Sequence, residues 1–120
     1  MPKPKTKKTR VREEQERLNG FFVDVYEIQR ETIAPLIQNA AFMKVLLEDM
    51  QEVINENGAT EIYHNGENQY GRKPSAAMQA YNATIKNYAS VMKSLSLLLP
   101  KGPLNGERLE AFLSELTDSQ

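Results

Sequence analysis

Apolar residues recur at helical spacing along most of this chain. From about Glu13 to Thr32 they fall at Leu18, Phe21, Val25 and Ile28, in steps of 3, 4 and 3, and Phe22 and Tyr26 widen the stripe. That spacing predicts an amphipathic helix. Gly20 lies inside it and weakens it by about 1 kcal/mol relative to alanine. Pro35 has no amide to donate and crowds the preceding turn, so it is expected to end or kink this helix. A second helix is expected to follow as far as Asn57. Its stripe is Leu36, Ala40, Met43, Leu47, Met50 and Ile54, and Phe42, Leu46 and Val53 form a second apolar line. A helix apolar on two lines is either well buried or shared between a core and a partner. Asn57-Gly58 supplies a C-terminal stop.

Residues 60–71 break the helical pattern. Thr60-Glu61-Ile62-Tyr63 reads as a short strand, His64-Asn65-Gly66-Glu67 carries the Asn-Gly hairpin signal, and Asn68-Gln69-Tyr70 returns to Gly71. A lone two-stranded hairpin is marginal in water, so this one is expected to pack on something, such as a neighbouring subunit. A long third helix is expected from Pro74 or Ser75 to about Leu99, with proline suited to its first turn. Its stripe is Ala77, Tyr81, Thr84, Tyr88, Val91, Leu95 and Leu98; a second line, Met78, Ile85, Met92 and Leu99, repeats every seven. Pro100 and Gly102-Pro103 end it. A short last helix is expected near Asn105, a good N-cap, with Leu109, Phe112, Leu113 and Leu116 on its apolar face. The fold class is therefore mainly α: a helical domain with two long antiparallel helices, a short β-hairpin between them and a terminal helix.

Charge adds a segmental pattern. The net charge of −1 over 120 residues hides large local imbalances. Residues 1–12 carry Lys3, Lys5, Lys7, Lys8, Arg10 and Arg12 and no acid. Residues 13–67 hold twelve acids against Arg17, Arg30 and Lys44. Residues 68–101 carry Arg72, Lys73, Lys86, Lys93 and Lys101 and no acid, and residues 102–120 are acidic again. Such alternation says more than the total. The first twelve residues are expected to be a disordered basic arm, either a solubilising tail or a strand of cations laid along nucleic-acid phosphates. Residues 13–100 are then the helical core, and 101–120 a linker and short helix. Lys86 and Lys93 lie seven apart on the third helix, roughly 140° round from Tyr81 and Tyr88, giving that helix a basic, acid-free side. That side suits DNA, or the acidic first helix of a neighbour.

Candidate chemistry is sparse. The chain has no cysteine, so disulfides, thiol nucleophiles and iron–sulfur clusters are excluded. Its one histidine, His64, cannot supply the several that a metal-dependent His-Asn-His nuclease uses, and it reads as a turn residue. No Gly-rich phosphate loop, GxSxG or EF-hand pattern is present. The carboxylate pairs Glu13/Glu14 and Glu48/Asp49 read as solvated helix faces. No catalytic, cofactor-binding or metal-binding residue is expected, and so no enzyme. No apolar run approaches the roughly 20 residues that span a bilayer, nor does one follow the basic start as in a secretory signal. A soluble, intracellular protein is the expectation. Tyr81 and Tyr88 could stack on bases, but at helical spacing they read as core or subunit interface. Tyr81, Tyr88 and Leu95 are the expected oligomer contacts.

One arrangement is familiar. A helix ends at Asn57-Gly58, a hairpin ends in Asn68-Gln69-Tyr70-Gly71-Arg72-Lys73-Pro74, and a long helix runs from Pro74-Ser75 to Leu95-Ser96-Leu97-Leu98-Leu99-Pro100. This resembles the small subunit of phage terminase over residues 15–113, most clearly over 57–100. Gly58 matches the family's turn glycine, Pro74 the proline opening the long helix, and Leu97 and Pro100 its apolar-proline end. Arg108 corresponds to the arginine that follows, displaced here by the insertion Lys101-Gly102-Pro103-Leu104-Asn105-Gly106. The resemblance implies a non-catalytic subunit that forms a homo-oligomeric ring and recognises a packaging start site on double-stranded viral DNA. It would hand that DNA to the large terminase subunit in the host cytoplasm. The residues expected to meet DNA are Lys3, Lys5, Lys7, Lys8, Arg10, Arg12, Arg72, Lys73, Lys86 and Lys93. The alternative is a structural helical adaptor or scaffold protein without DNA binding.

Overall fold

The structure, a computed structural model, describes residues 3–25, 27–99 and 114. Three helices and one hairpin follow in the order α1 (Lys7–Asn19), a 3₁₀ turn (Gly20–Phe22), α2 (Glu27–Asn57), β1 (Thr60–His64), β2 (Tyr70–Pro74) and α3 (Ala76–Leu97). The mainly helical fold, with a hairpin between two long antiparallel helices, is as the sequence predicts. The expected terminal helix near Asn105 lies outside the described residues except for Ser114, which is helical and exposed.

The basic start is not a disordered arm beyond residue 6. Thr6 caps α1, its hydroxyl accepting from the Thr9 amide at 3.2 Å, and Lys7 to Arg12 form the first turns. Cations at a helix N-terminus oppose the macrodipole, and α1 has no acid in its first turn. The missing negative charge comes from α2, whose Glu48 and Asp49 face Lys7 and Arg10. With Arg10 beside Asp49 and Glu14 beside Lys44, α1 runs antiparallel to α2.

The single helix expected over Glu13–Thr32 is instead broken at Gly20–Val25. Leu18, Phe22 and Val25 keep their apolar spacing, but the chain turns back so that they join Ile33 and Ile37 in one buried cluster. A straight helix could not bring Leu18 to Ile37. Ile28, expected in that stripe, instead points outward at 82% exposure. The turn is held by the Val25 amide donating to the Phe22 carbonyl and by Arg30 donating to the Val23 carbonyl.

Pro35 does not end a helix either. α2 runs through it for 31 residues, about 46 Å. Pro35 sits on the exposed side, where a carbonyl left without its amide can take water. α2 stops where expected. Gly58 adopts φ 90°, and its amide donates to the Ile54 carbonyl at 2.7 Å, closing a left-handed cap.

The hairpin pairs antiparallel in the register Thr60↔Pro74 to His64↔Tyr70. Asn-Gly does not form a two-residue turn. Residues 65–69 make a longer loop in which Gly66 and Asn68 take positive φ and the Asn65 amide donates to the Gln69 carbonyl. Tyr63 lies over Gly71 so closely that a Cβ there would stand 2.6 Å from the ring. Both strands are exposed almost throughout. Pro74 ends β2 rather than opening the helix. Ser75 is the N-cap of α3, its hydroxyl accepting from the Met78 amide at 3.1 Å.

The core lies on both flanks of α2. Ala40, Leu47 and Met50 cluster with Tyr88, Met92, Leu95 and Leu99 from the α3 side, and Leu36, Met43, Leu46 and Ile85 pack on its rim. Ala41 and Val45 are buried on the side that α1 covers. Each fully buried Leu or Ile contributes about 1.5–3 kcal/mol, which fixes α2 as the central beam. No helix among the described residues is long and apolar enough to cross a membrane.

Candidate nucleic-acid interface

The ten cations expected to meet DNA divide into two groups. The first is engaged within the chain. Lys5 pairs with Glu13 at 2.9 Å, and Lys7 with Asp49 at 3.5 Å. Arg10 pairs with Asp49 at 2.7 Å and with Glu48 at 3.3 Å. Lys73 faces Glu61 across the hairpin at 3.6 Å, and Arg72 donates to the Thr60 hydroxyl at 3.0 Å. Glu48/Asp49 is therefore not a solvated face but the dock for α1. Glu14 is engaged too, by Arg17 and Lys44. The hydrogen bond from Arg10 holds the Asp49 carboxyl below its ordinary range, and Asp49 in turn raises Arg10. Both side chains remain about one-third exposed, so their attraction is moderated by water.

The second group is Lys3, Lys8, Arg12, Lys86 and Lys93. All are exposed and none has an acidic partner among the described residues. Lys8 and Arg12 are one turn apart on α1 and line a groove with Lys7, Val11, Gln15 and Phe42. Lys86 and Lys93 stand two turns apart, about 10 Å, on the outer face of α3. That helix contains no acid. Cations so placed meet polyanions without first breaking an internal pair.

The expected oligomer contacts fare differently. Tyr88 and Leu95 are 2% and 0% exposed within a single chain, so they belong to its own core. Heptad spacing does not distinguish an intrachain helix seam from an interchain one, and α2 supplies the seam here. Tyr81 is partly buried and its hydroxyl accepts from Gln51 at 3.1 Å. The exposed large apolar side chains among the described residues lie elsewhere: Val23 in the turn, Ile28, Phe42 and Val53 on α2, Ile62, Tyr63 and Tyr70 on the hairpin, and Leu97 on α3.

His64, at the end of β1 rather than in the turn, packs against Tyr70 with ring centroids 4.6 Å apart and the planes tilted by 60°. Among the described residues no group of three or more His, Asp or Glu is placed to hold a metal ion. The α1–α2 ion pairs are not foreseeable from local spacing. Their signal is faint: Lys7 and Arg10 lie three apart in a basic block, and adjacent acids stand mid-helix at 48–49. Comparison of the chain with protein-family models, with curated proteins and with solved structures returned no match in any of the three.

Proposed function

We propose that this chain is a non-catalytic subunit of a viral DNA-packaging machine, the small subunit of a phage terminase. In this role it assembles with copies of itself into a ring and binds double-stranded viral DNA at a packaging start site. It then passes the DNA to the large subunit, regulating that subunit's ATPase and nuclease in the host cytoplasm. The family is suggested by the motif resemblance of residues 57–100 described above. The observation that carries DNA binding is the set of exposed cations with no acidic partner among the described residues, Lys8 and Arg12 on α1 and Lys86 and Lys93 on the acid-free α3. Exposed Ile28, Phe42 and Leu97 support self-association. A second reading, a helical adaptor that binds protein alone, is favoured by the pairing of Lys5, Lys7, Arg10 and Lys73 within the chain.

Light scattering with and without duplex DNA, at low and high salt, separates the two. A closed assembly of many subunits that gains DNA at low salt is expected. Charge reversal at Lys86 and Lys93 should then weaken binding and flatten its salt dependence by about 0.9 for each phosphate no longer neutralised. A monomer or dimer indifferent to DNA would leave the adaptor as the better account.

A further inference from the structure

The two halves of α1 are attached to α2 by different forces. Near its C-terminal end Leu18 is buried in the core, the one buried residue of this helix. Its N-terminal half is held by charge. Both carboxylate oxygens of Asp49 are engaged, Oδ1 by Arg10 at 2.7 Å and Oδ2 by Lys7 at 3.5 Å, and Arg10 reaches on to Glu48 at 3.3 Å. An anion with two oxygens on two α1 cations occupies them as a phosphate would. Lys8 and Arg12 stand on another face of the same two turns, in a groove that Lys7 also lines, and neither has an acidic partner among the described residues.

We propose that Lys7, Lys8, Arg10 and Arg12 form one phosphate-binding set on α1, and that Asp49 and Glu48 occupy its Lys7–Arg10 half until nucleic acid displaces them. The inference rests on the DNA-binding reading above. Partly exposed pairs of this kind are individually weak and screened by salt. A duplex offers many phosphates at once, so it can replace Asp49 and Glu48 on Lys7 and Arg10 and also engage Lys8 and Arg12, which offsets the cost of uncovering the apolar surface beneath α1. Leu18, Phe22 and Val25 keep the base of α1 in the core during the exchange. Its free end leaves Ala41 and Val45.

The test uses two charge-matched double variants of the full chain. Glu48→Gln/Asp49→Asn removes the internal anions. Glu52→Gln/Glu56→Gln removes two exposed acids of α2 for which no cation among the described residues lies within ion-pairing distance. Affinity for a labelled duplex is measured by fluorescence anisotropy. The first variant is expected to bind about ten-fold more tightly than the natural chain, and the second within about two-fold, because only the first lifts a competition. As the chain has no cysteine, spin labels at Glu13→Cys and Glu52→Cys can report the α1–α2 distance, which is expected to lengthen on adding duplex. Equal affinities for the two double variants, or a label distance unmoved by saturating duplex, overturn the competition and leave DNA binding standing. No binding by the natural chain or by either variant overturns the DNA reading, and this inference with it.

Discussion

Truncating Leu95 to alanine tests whether α3 uses its apolar stripe inside the chain or between chains. Leu95 has no exposed surface and belongs to the buried cluster that joins Tyr88 and Met92 of α3 to Ile37 and Ala40 of α2. The substitution removes three carbons, about 2.4 kcal/mol at about 0.8 kcal/mol each. The cavity between two stiff helices brings the cost to about 3 kcal/mol, a large part of the 5–15 kcal/mol that stabilises a typical domain. At about 4 °C per kcal/mol for a chain of this size, the midpoint of thermal unfolding should fall by about 12 °C. Circular dichroism at two protein concentrations, with light scattering alongside, reads the outcome. The fall should be similar at both concentrations. A fall below about 4 °C, or a loss of assembly mass with the midpoint intact, would place Leu95 between chains and refute the packing argument.

Gly58→Ala should cost about 1–2 kcal/mol in urea denaturation, since φ is 90° there while open space surrounds the position; an unchanged midpoint would show that the cap relaxes freely. Ser75→Ala removes the N-cap of α3 and should cost about 1 kcal/mol, with a loss below about 0.3 kcal/mol counting against a working cap. Arg10 depresses the pKa of Asp49 in the folded chain. Its contribution to stability is therefore present above the unfolded-state value of 3.8 and lost as pH falls below it toward the folded value. Between pH 4 and about pH 2 the natural chain should lose more stability than Asp49→Asn; parallel pH profiles for the two would contradict the pairing.

Sequence patterning located the elements whose causes are local. The α2 stop at Asn57-Gly58, the hairpin and the extent of α3 follow from a left-handed glycine, a loop with Asn-Gly and a seven-residue repeat. It misplaced the features decided by distant neighbours. Pro35 is tolerated because its side of α2 faces water. The helix expected through Gly20 breaks because burying Phe22 and Val25 against Ile33 and Ile37 outweighs one continuous helix. Lys7 and Arg10 read as free cations because their anions lie some forty residues away, and no local spacing announces a pair at that range. Of the candidate interface, the acid-free side of α3 was legible and the sharing of α1 with Asp49 was not.

The hairpin has a consequence for how the chain closes on itself. Its strands are exposed almost throughout, so it takes little support from the helical core, and its order derives from local features: the positive-φ residues of its loop, Tyr63 over Gly71 and His64 against Tyr70. Where it meets the helices, the Ser75 amide donates to the Ala59 carbonyl at 2.9 Å. The detour between α2 and α3 is thereby short-circuited at its base. Gln51 and Tyr81 are 30 residues apart in sequence, yet with the hairpin formed they are separated by about half that path. Every α2–α3 contact is shortened by the same detour, lowering the loop-closure entropy of docking the two long helices. An insertion in residues 65–69 would lengthen the sequence without lengthening that path, whereas a break in the Ala59–Ser75 bridge would restore the whole of it.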